Sequence, residues 1–189
     1  MGLITAGSNV TYVDAKNGAL WVWNKETKTS DKFWAIEGRI VKIYLYEDKF
    51  KEEKTMKVIV QLVDEDNKLF SLKWTLESWY TQGFFSRIMN ISLSKPVVIG
   101  ASGTDKNEKV TFCWMKQNDA KVEPTEGFPK PLKVEKRGKA ITNYDDMLDE
   151  VDKLLVKLQE ALQMETPQAD NKKKSALISE PEDNDEIPF

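Results

Sequence analysis

The chain has no histidine among its 189 residues. Histidine is the side chain that most often moves protons near neutral pH, so its absence removes imidazole acid–base catalysis, histidine-activated nucleophiles and most zinc sites. Cysteine occurs once, as Cys113. One cysteine permits no intrachain disulfide and no multi-cysteine metal site, and it fits a reducing compartment, where Cys113 reads as a small buried apolar residue in a strand. No apolar run reaches membrane-spanning length, and the first residues lack the basic region and apolar core of a signal peptide. Met1-Gly2 opens like a myristoylation site, but Ala6 stands where Ser or Thr is needed. The expectation is a cytoplasmic protein with no membrane partner. Also absent are a glycine-rich phosphate loop, a nucleophile elbow and any nucleophile–base pair. A carboxylate-held metal is the one catalytic route left. The acid cluster that could supply it, Asp64-Glu65-Asp66-Asn67, reads as turn chemistry between strands. These absences favour a non-catalytic protein with no cofactor and no metal.

Charge is present but unevenly spread. The formal net charge is -3. Residues 1–142 carry 23 Lys+Arg against 18 Asp+Glu, a balance of +5. Residues 143–163 carry 2 against 6 and residues 164–189 carry 3 against 7, each a balance of -4. A mildly basic body with acidic C-terminal parts fits a polyanion binder with an acidic tail. Six tryptophans in so small a body are unusual. Each is costly to bury because its N–H needs a partner. Trp74 and Trp34 are the core candidates, and the others suit stacking on unpaired bases.

Hydrophobic periodicity orders the chain. Val10–Val13 and Ala19–Trp23 are short strands joined by a turn at Asn17-Gly18, a strong hairpin pattern. Leu20 and Val22 share one face of the second strand, Trp21 and Trp23 the other. Residues 24–32 are polar and read as a loop. Phe33–Tyr46 is a long strand whose alternation breaks at Ile40-Val41, where a bulge restores it. Ile36, Ile40, Ile43 and Leu45 then point inward; Arg39, Lys42, Tyr44 and Tyr46 point outward. Thr55–Val63 follows with Met56, Val58, Val60 and Leu62 inward and Lys57 outward. Leu69–Thr75 sets Phe70, Leu72 and Trp74 inward and Lys73 outward. A helix over Trp79–Met89 is capped by Ser78, and two strands close the body at Pro96–Ala101 and Lys109–Lys116, joined by a loop over Ser102–Glu108. Three strands, a helix and two strands are the order of the OB-fold, a small closed barrel. The expected architecture is mainly β: a five-stranded OB-fold barrel with an N-terminal hairpin over residues 1–123. A basic, proline-containing connector spans 124–142. An amphipathic helix over 143–163 carries Tyr144, Leu148, Val151, Leu155, Leu158 and Leu162 at spacings of four and three. Three heptads are short for a free coiled coil, so self-packing is favoured over a homo-oligomer. Residues 164–189 are expected to be a disordered linker and tail.

The last ten residues are Glu180-Pro181-Glu182-Asp183-Asn184-Asp185-Glu186-Ile187-Pro188-Phe189. They hold five carboxylates and no basic residue, and they end in an apolar triplet. Pro188 stiffens the backbone before a large ring set beside the terminal carboxylate. Such an end suits a pocket with an apolar floor and a basic rim. This ending resembles the acidic Ile-Pro-Phe tip of bacterial single-stranded-DNA-binding proteins and some bacteriophage counterparts. The resemblance covers under ten residues. Outside the tip no motif aligns, and a helix stands where the bacterial proteins have a long Gly/Gln-rich linker, which looks more like the divergent phage-type binders.

The resemblance implies a protein that coats single-stranded DNA in replication, recombination or repair, in the host cytoplasm if phage-encoded. It implies that Glu182, Asp183, Asp185, Glu186, Ile187, Pro188 and Phe189 recruit partner proteins of those processes. The residues themselves suggest the DNA groove: Trp21, Trp23, Tyr44 and Tyr46 as stacking platforms, with Arg39, Lys42, Lys57 and Lys73 contacting phosphates. All project outward from strands expected in one sheet face, and a one-residue slip would reverse any of them. Two other readings remain at this point: a protein–protein adaptor built on an OB-like barrel, and an RNA-binding OB module.

Overall fold

The computed structural model describes residues 10–24, 26–50, 53–104, 107–136 and 138–165. Strands β1 (Val10–Lys16) and β2 (Ala19–Asn24) form the expected hairpin. Asn17 and Gly18 take φ of 50° and 70°, the left-handed pair that a two-residue hairpin turn requires. The chain then returns along β2 as β3 (Thr29–Phe33), in a stretch that composition marks as a loop. Every β3 residue is exposed, so this edge strand buries no face and leaves no alternation in the sequence.

β4 (Ala35–Phe50) is the long strand. Its register against β5 (Glu53–Val63) slips between Ile40 and Lys42, which makes Val41 the bulged residue where the alternation breaks. Before the bulge, Ala35–Gly38 pairs with β7 (Val97–Thr104); from Arg39 on, β4 pairs with β5. One bent strand thereby serves two neighbours. β5 pairs in turn with β6 (Leu69–Thr75). Between β5 and β6 the Asp64 carboxylate accepts from the backbone N–H of Asp66 at 3.0 Å and of Lys68 at 2.8 Å, the turn chemistry expected of this acid cluster. Helix α1 (Trp79–Ile88) starts at Ser78, whose hydroxyl accepts from the Thr81 N–H at 3.2 Å. Gly83 lets α1 lie directly on β8 (Asn107–Gln117): a Cβ there would come 2.8 Å from the Cys113 carbonyl oxygen.

The nine strands order as β3-β2-β1-β6-β5-β4-β7-β8-β9, with β9 (Ala120–Lys121) at one edge. β1 and β6 run parallel and the other neighbours antiparallel. The chain is therefore mainly β with two helices, and its large mixed sheet does not close into the expected five-stranded barrel. The reason is the N-terminal hairpin. β1 occupies the side of β6 that a closing strand would need, and the β1–β2 turn reaches the other end of the sheet. There the Gly18 N–H donates to Thr111 Oγ1 at 3.0 Å, and Gly18 packs so tightly on Gly103 that a Cβ would meet its backbone at 2.9 Å.

The expected connector holds a second small sheet, β10 (Leu132–Lys136) and β11 (Lys139–Asn143). Most of its residues are exposed and none is buried, so it too leaves no buried periodicity in the sequence. Helix α2 (Asp145–Glu165) follows. Val151, Leu155, Leu158 and Leu162 of its stripe are buried in the one core, with Met147 and Leu154, while Tyr144 and Leu148 pack at its margin. The Gln159 side-chain amide donates to the Ile43 carbonyl at 3.1 Å. Ile43 lies past Gly38, where β4 has lost β7 as a neighbour, so α2 covers an otherwise open strand edge. Among the described residues no helix is long and apolar enough to cross a membrane.

The core joins Val13 and Leu20 of the hairpin to Ile40, Ile43, Val58, Val60, Leu62, Leu72 and Trp74, and to Phe84, Phe85, Ile99 and Met115. Trp74 is a core residue as expected, with its Nε1–H donated to Thr81 Oγ1 at 3.0 Å. Trp34 is not. It sits at the bend between β3 and β4, 64% exposed, and its backbone carbonyl accepts from the Ala101 N–H at 3.0 Å. The unforeseen β3 turns the chain there, so the peptide is held by β7 and the ring faces solvent. Met56, expected inward, is 39% exposed because it lies beyond the end of the core. Tyr80 is buried with its hydroxyl beside the Cys113 thiol, but the pair lacks hydrogen-bond geometry and the hydroxyl has no partner among the described residues.

Candidate nucleic-acid interface

The face of the sheet opposite the core is built in rows, because residues opposed across a ladder point to the same side. One row runs Lys32, Trp21, Asp14, Lys73, Ile59, Tyr44 through β3, β2, β1, β6, β5 and β4. On one side of it lies Tyr12, Ser71, Gln61, Lys42, and one step of register sets Trp23 opposite Tyr12. Beyond that row lies Leu69, Val63, Arg39. On the other side of the first row lies Thr75, Lys57, Tyr46. All eight residues expected in the groove, Trp21, Trp23, Arg39, Lys42, Tyr44, Tyr46, Lys57 and Lys73, thus occupy one face. The bulge at Val41 is what keeps Arg39 and Lys42 on the same side.

Large rings on this face are open to solvent. Trp23 is 58% exposed, Tyr46 54% and Tyr12 65%. Trp21 and Tyr44 are half-buried, and the Trp21 Nε1–H is fixed to the Lys16 carbonyl at 2.9 Å. Cations stand beside the rings. Lys42 Nζ lies 5.0 Å from the Tyr44 centroid, and Lys32 Nζ lies 4.7 Å from Trp34 and 5.9 Å from Trp21. Such contacts are worth about 0.5–1 kcal/mol at exposed sites, enough to hold an ammonium near a ring and too little to prevent its release. Arg39, Lys42 and Lys32 have no carboxylate partner among the described residues. Lys57 donates to Thr75 Oγ1 at 2.9 Å. Lys73 is engaged differently, with its Nζ 3.4 Å from Asp14 Oδ1; Asp14 Oδ2 also lies 3.8 Å from Lys16 Nζ.

The arrangement sets apolar ring faces beside positive charge, which is what a flexible chain of bases and phosphates requires. Sequence reasoning missed Tyr12, Lys32, Trp34 and Asp14. Tyr12 and Asp14 were within reach, because they alternate with the buried Val13 and Ala15. Lys32 and Trp34 depend on β3, which carries no buried residue to reveal it. The tip residues Glu182, Asp183, Asp185, Glu186, Ile187, Pro188 and Phe189 lie outside the described residues, as does the linker from residue 166 on, while Met164 and Glu165, expected in the linker, end helix α2.

The lone thiol, Cys113, is buried. Burial pushes the Cys113 pKa up to about 12, against lesser lowering by neighbouring Tyr80 and Arg87. Comparison with known proteins finds no matching family model, curated protein or solved structure.

Proposed function

We propose that this chain is a non-catalytic OB-fold protein that coats single-stranded DNA and recruits replication, recombination or repair proteins through its acidic Ile187-Pro188-Phe189 end. The observation that carries the reading is the single sheet face on which five exposed or half-buried rings, Tyr12, Trp21, Trp23, Tyr44 and Tyr46, are interleaved with Arg39, Lys42, Lys57 and Lys73. The OB-fold assignment is supported by strand order. β4 pairs with both β5 and β7, α1 lies between β6 and β7, and β8 returns beside β7, while the hairpin stands where a barrel would close. The OB-fold's usual oligonucleotide surface is the face of its second and third strands, which here are β5 and β6. The recruiting role is supported by the resemblance of residues 180–189 to the tip of single-stranded-DNA-binding proteins.

The test is a titration with oligo-dT at two or more salt concentrations, followed by tryptophan fluorescence. Stacking on Trp21 and Trp23 quenches emission. Neutralising four to five phosphates gives a log–log salt slope of about -3. Competition with oligo-U separates DNA from RNA preference. No quenching at any salt, or tighter binding to duplex, defeats the reading and leaves an adaptor. Removal of residues 180–189 tests the second half: pull-down of DNA-maintenance proteins is lost while oligo-dT affinity is kept.

A further inference from the structure

The parallel pairing of β1 with β6 ends at Asp14–Lys73. The next residues pointing to the same face, Lys16 and Thr75, diverge and open onto a cavity of about 350 Å³. Its other walls include Glu77, Trp79 and Tyr144, so it lies at the end of the β1–β6 seam, where core and ring-bearing faces meet, and is finished by the β11–α2 junction. A volume of this order is that of a small-ligand pocket.

Its chemistry is unlike that of the open face. Trp79 is half-buried and backed by Phe112, with ring centroids 6.0 Å apart. Tyr144 is half-buried on the α2 side. Two aromatic walls favour a flat guest. Charge decides which one. The cavity's carboxylate, Glu77, repels phosphate, and its lysine, Lys16, is shared with Asp14 at 3.8 Å. An uncharged planar group with N–H donors suits such a lining. Tyr144 stays a neutral hydrogen-bonding hydroxyl: burial raises its pKa, Thr142 lowers it to a lesser extent, and Glu77 adds a raise.

We infer that this cavity receives one unpaired nucleobase bearing an exocyclic amino group, stacked by Trp79 and Tyr144, with Glu77 accepting from the amino group. The inference rests on the single-strand reading above and deepens it, because the open face reads no sequence while this pocket distinguishes cytosine from thymine. Cytosine offers its N4 amino group to a carboxylate. Thymine instead presents two carbonyl oxygens flanking one N–H, which a carboxylate repels.

The experiment compares oligo-dC with oligo-dT of equal length, at one salt concentration, on the full chain and on Glu77→Ala and Glu77→Gln. Glu77 is exposed, and thermal melts verify that both variants are folded. The expected result is a fall of about fivefold or more in the dC-to-dT affinity ratio in both variants, with oligo-dT binding retained. In Glu77→Gln the new amide N–H also assists thymine, so its ratio falls at least as far. A ratio unchanged in both variants overturns the pocket while leaving the single-strand reading intact. Failure of the unsubstituted chain to bind either oligomer overturns that reading, and the pocket with it.

Discussion

Asp14→Asn is expected to tighten single-strand binding, although it breaks two ion pairs. Asp14 sits in the central row between Trp21 and Lys73, 3.4 Å from Lys73 Nζ and 3.8 Å from Lys16 Nζ. Both pairs are partly exposed, with side-chain exposures of 39% for Asp14, 40% for Lys73 and 55% for Lys16. Pairs of that kind contribute about 0–1 kcal/mol. Asparagine keeps the shape, so loss of both pairs costs at most about 2 kcal/mol and melting is expected to shift by no more than about 8 °C. For DNA the carboxylate is a competitor: it holds Lys73 and repels phosphate. Freeing one lysine adds about 0.7 to the magnitude of the single-strand salt slope. Relative to 1 M salt, that increment is worth about fivefold in affinity at 0.1 M. The assay is oligo-dT titration across that range. The gain is largest at low salt and vanishes towards 1 M. Unchanged or weaker binding at 0.1 M by a folded Asp14→Asn protein refutes the reasoning, because it means that no phosphate passes between Trp21 and Lys73.

Three further outcomes separate the face from the core. Trp23→Ala is expected to lose about 1–3 kcal/mol of oligo-dT affinity with little change in melting, whereas Trp74→Ala, 3% exposed, is expected to lose about 3–5 kcal/mol of stability; titrations paired with melts check both. Tyr80→Phe removes a buried hydroxyl without a partner among the described residues, so it is expected to raise stability by up to about 1–3 kcal/mol, and a lower melting temperature refutes this. Cys113, with its pKa pushed up to about 12, is expected to resist alkylation at pH 7–9 until the protein unfolds. The unfolded thiol releases its proton first. The stability tied to this group is therefore intact below about pH 9 and falls as pH rises above it; burial raises the Tyr80 pKa as well, so alkaline melts of the Cys113→Ala variant are expected to lose the slope between about pH 9 and 10 and keep a slope above it.

What the sequence made legible was whatever buries one side. The turn at Asn17-Gly18, the bulge beside Ile40, the cap at Ser78 and the stripe from Val151 to Leu162 each couple a local pattern to the core. The eight residues expected in a groove share one sheet face because outward is simply the complement of inward. β3, β10 and β11 were not legible, since none of their residues is buried and nothing in their composition records the strand beside them. Trp34 was misplaced for that reason. A hydrophobic residue next to an unseen turn looks like core, and only the Trp34 carbonyl bonded to Ala101 shows which way the ring must go. The pairing of β1 with β6 was equally hidden: both strands alternate cleanly, and alternation does not name the partner. That one pairing decides that the sheet stays open and that Trp21 and Trp23 join the face of β4, β5 and β6.

That pairing also divides the face by chemistry. The hairpin brings Tyr12, Trp21 and Trp23, and its strand β1 brings an opposing carboxylate, Asp14. The body strands bring Arg39, Lys42, Lys57 and Lys73, with two rings, Tyr44 and Tyr46. Stacking is largely insensitive to salt, while phosphate contacts fade with it. The two parts therefore dominate under different conditions. On the proposed reading the body strands are expected to supply most of the pull at low salt, so that loss of a hairpin ring is partly masked by the remaining electrostatic attraction. Near 1 M salt the lysines contribute little, and whatever affinity is left belongs mainly to the rings. A hairpin that docks beside β6 thus does more than occupy the closing position of a barrel. On the proposed reading it converts a charged sheet face, which alone would bind any polyanion, into one that favours nucleic acid with unstacked bases. Heparin makes the distinction measurable. As a polyanion without bases, it is expected to compete with oligo-dT at 0.1 M salt and to fail at 1 M. Competition that persists at high salt would mean that the rings contribute nothing and that the face is only an electrostatic one.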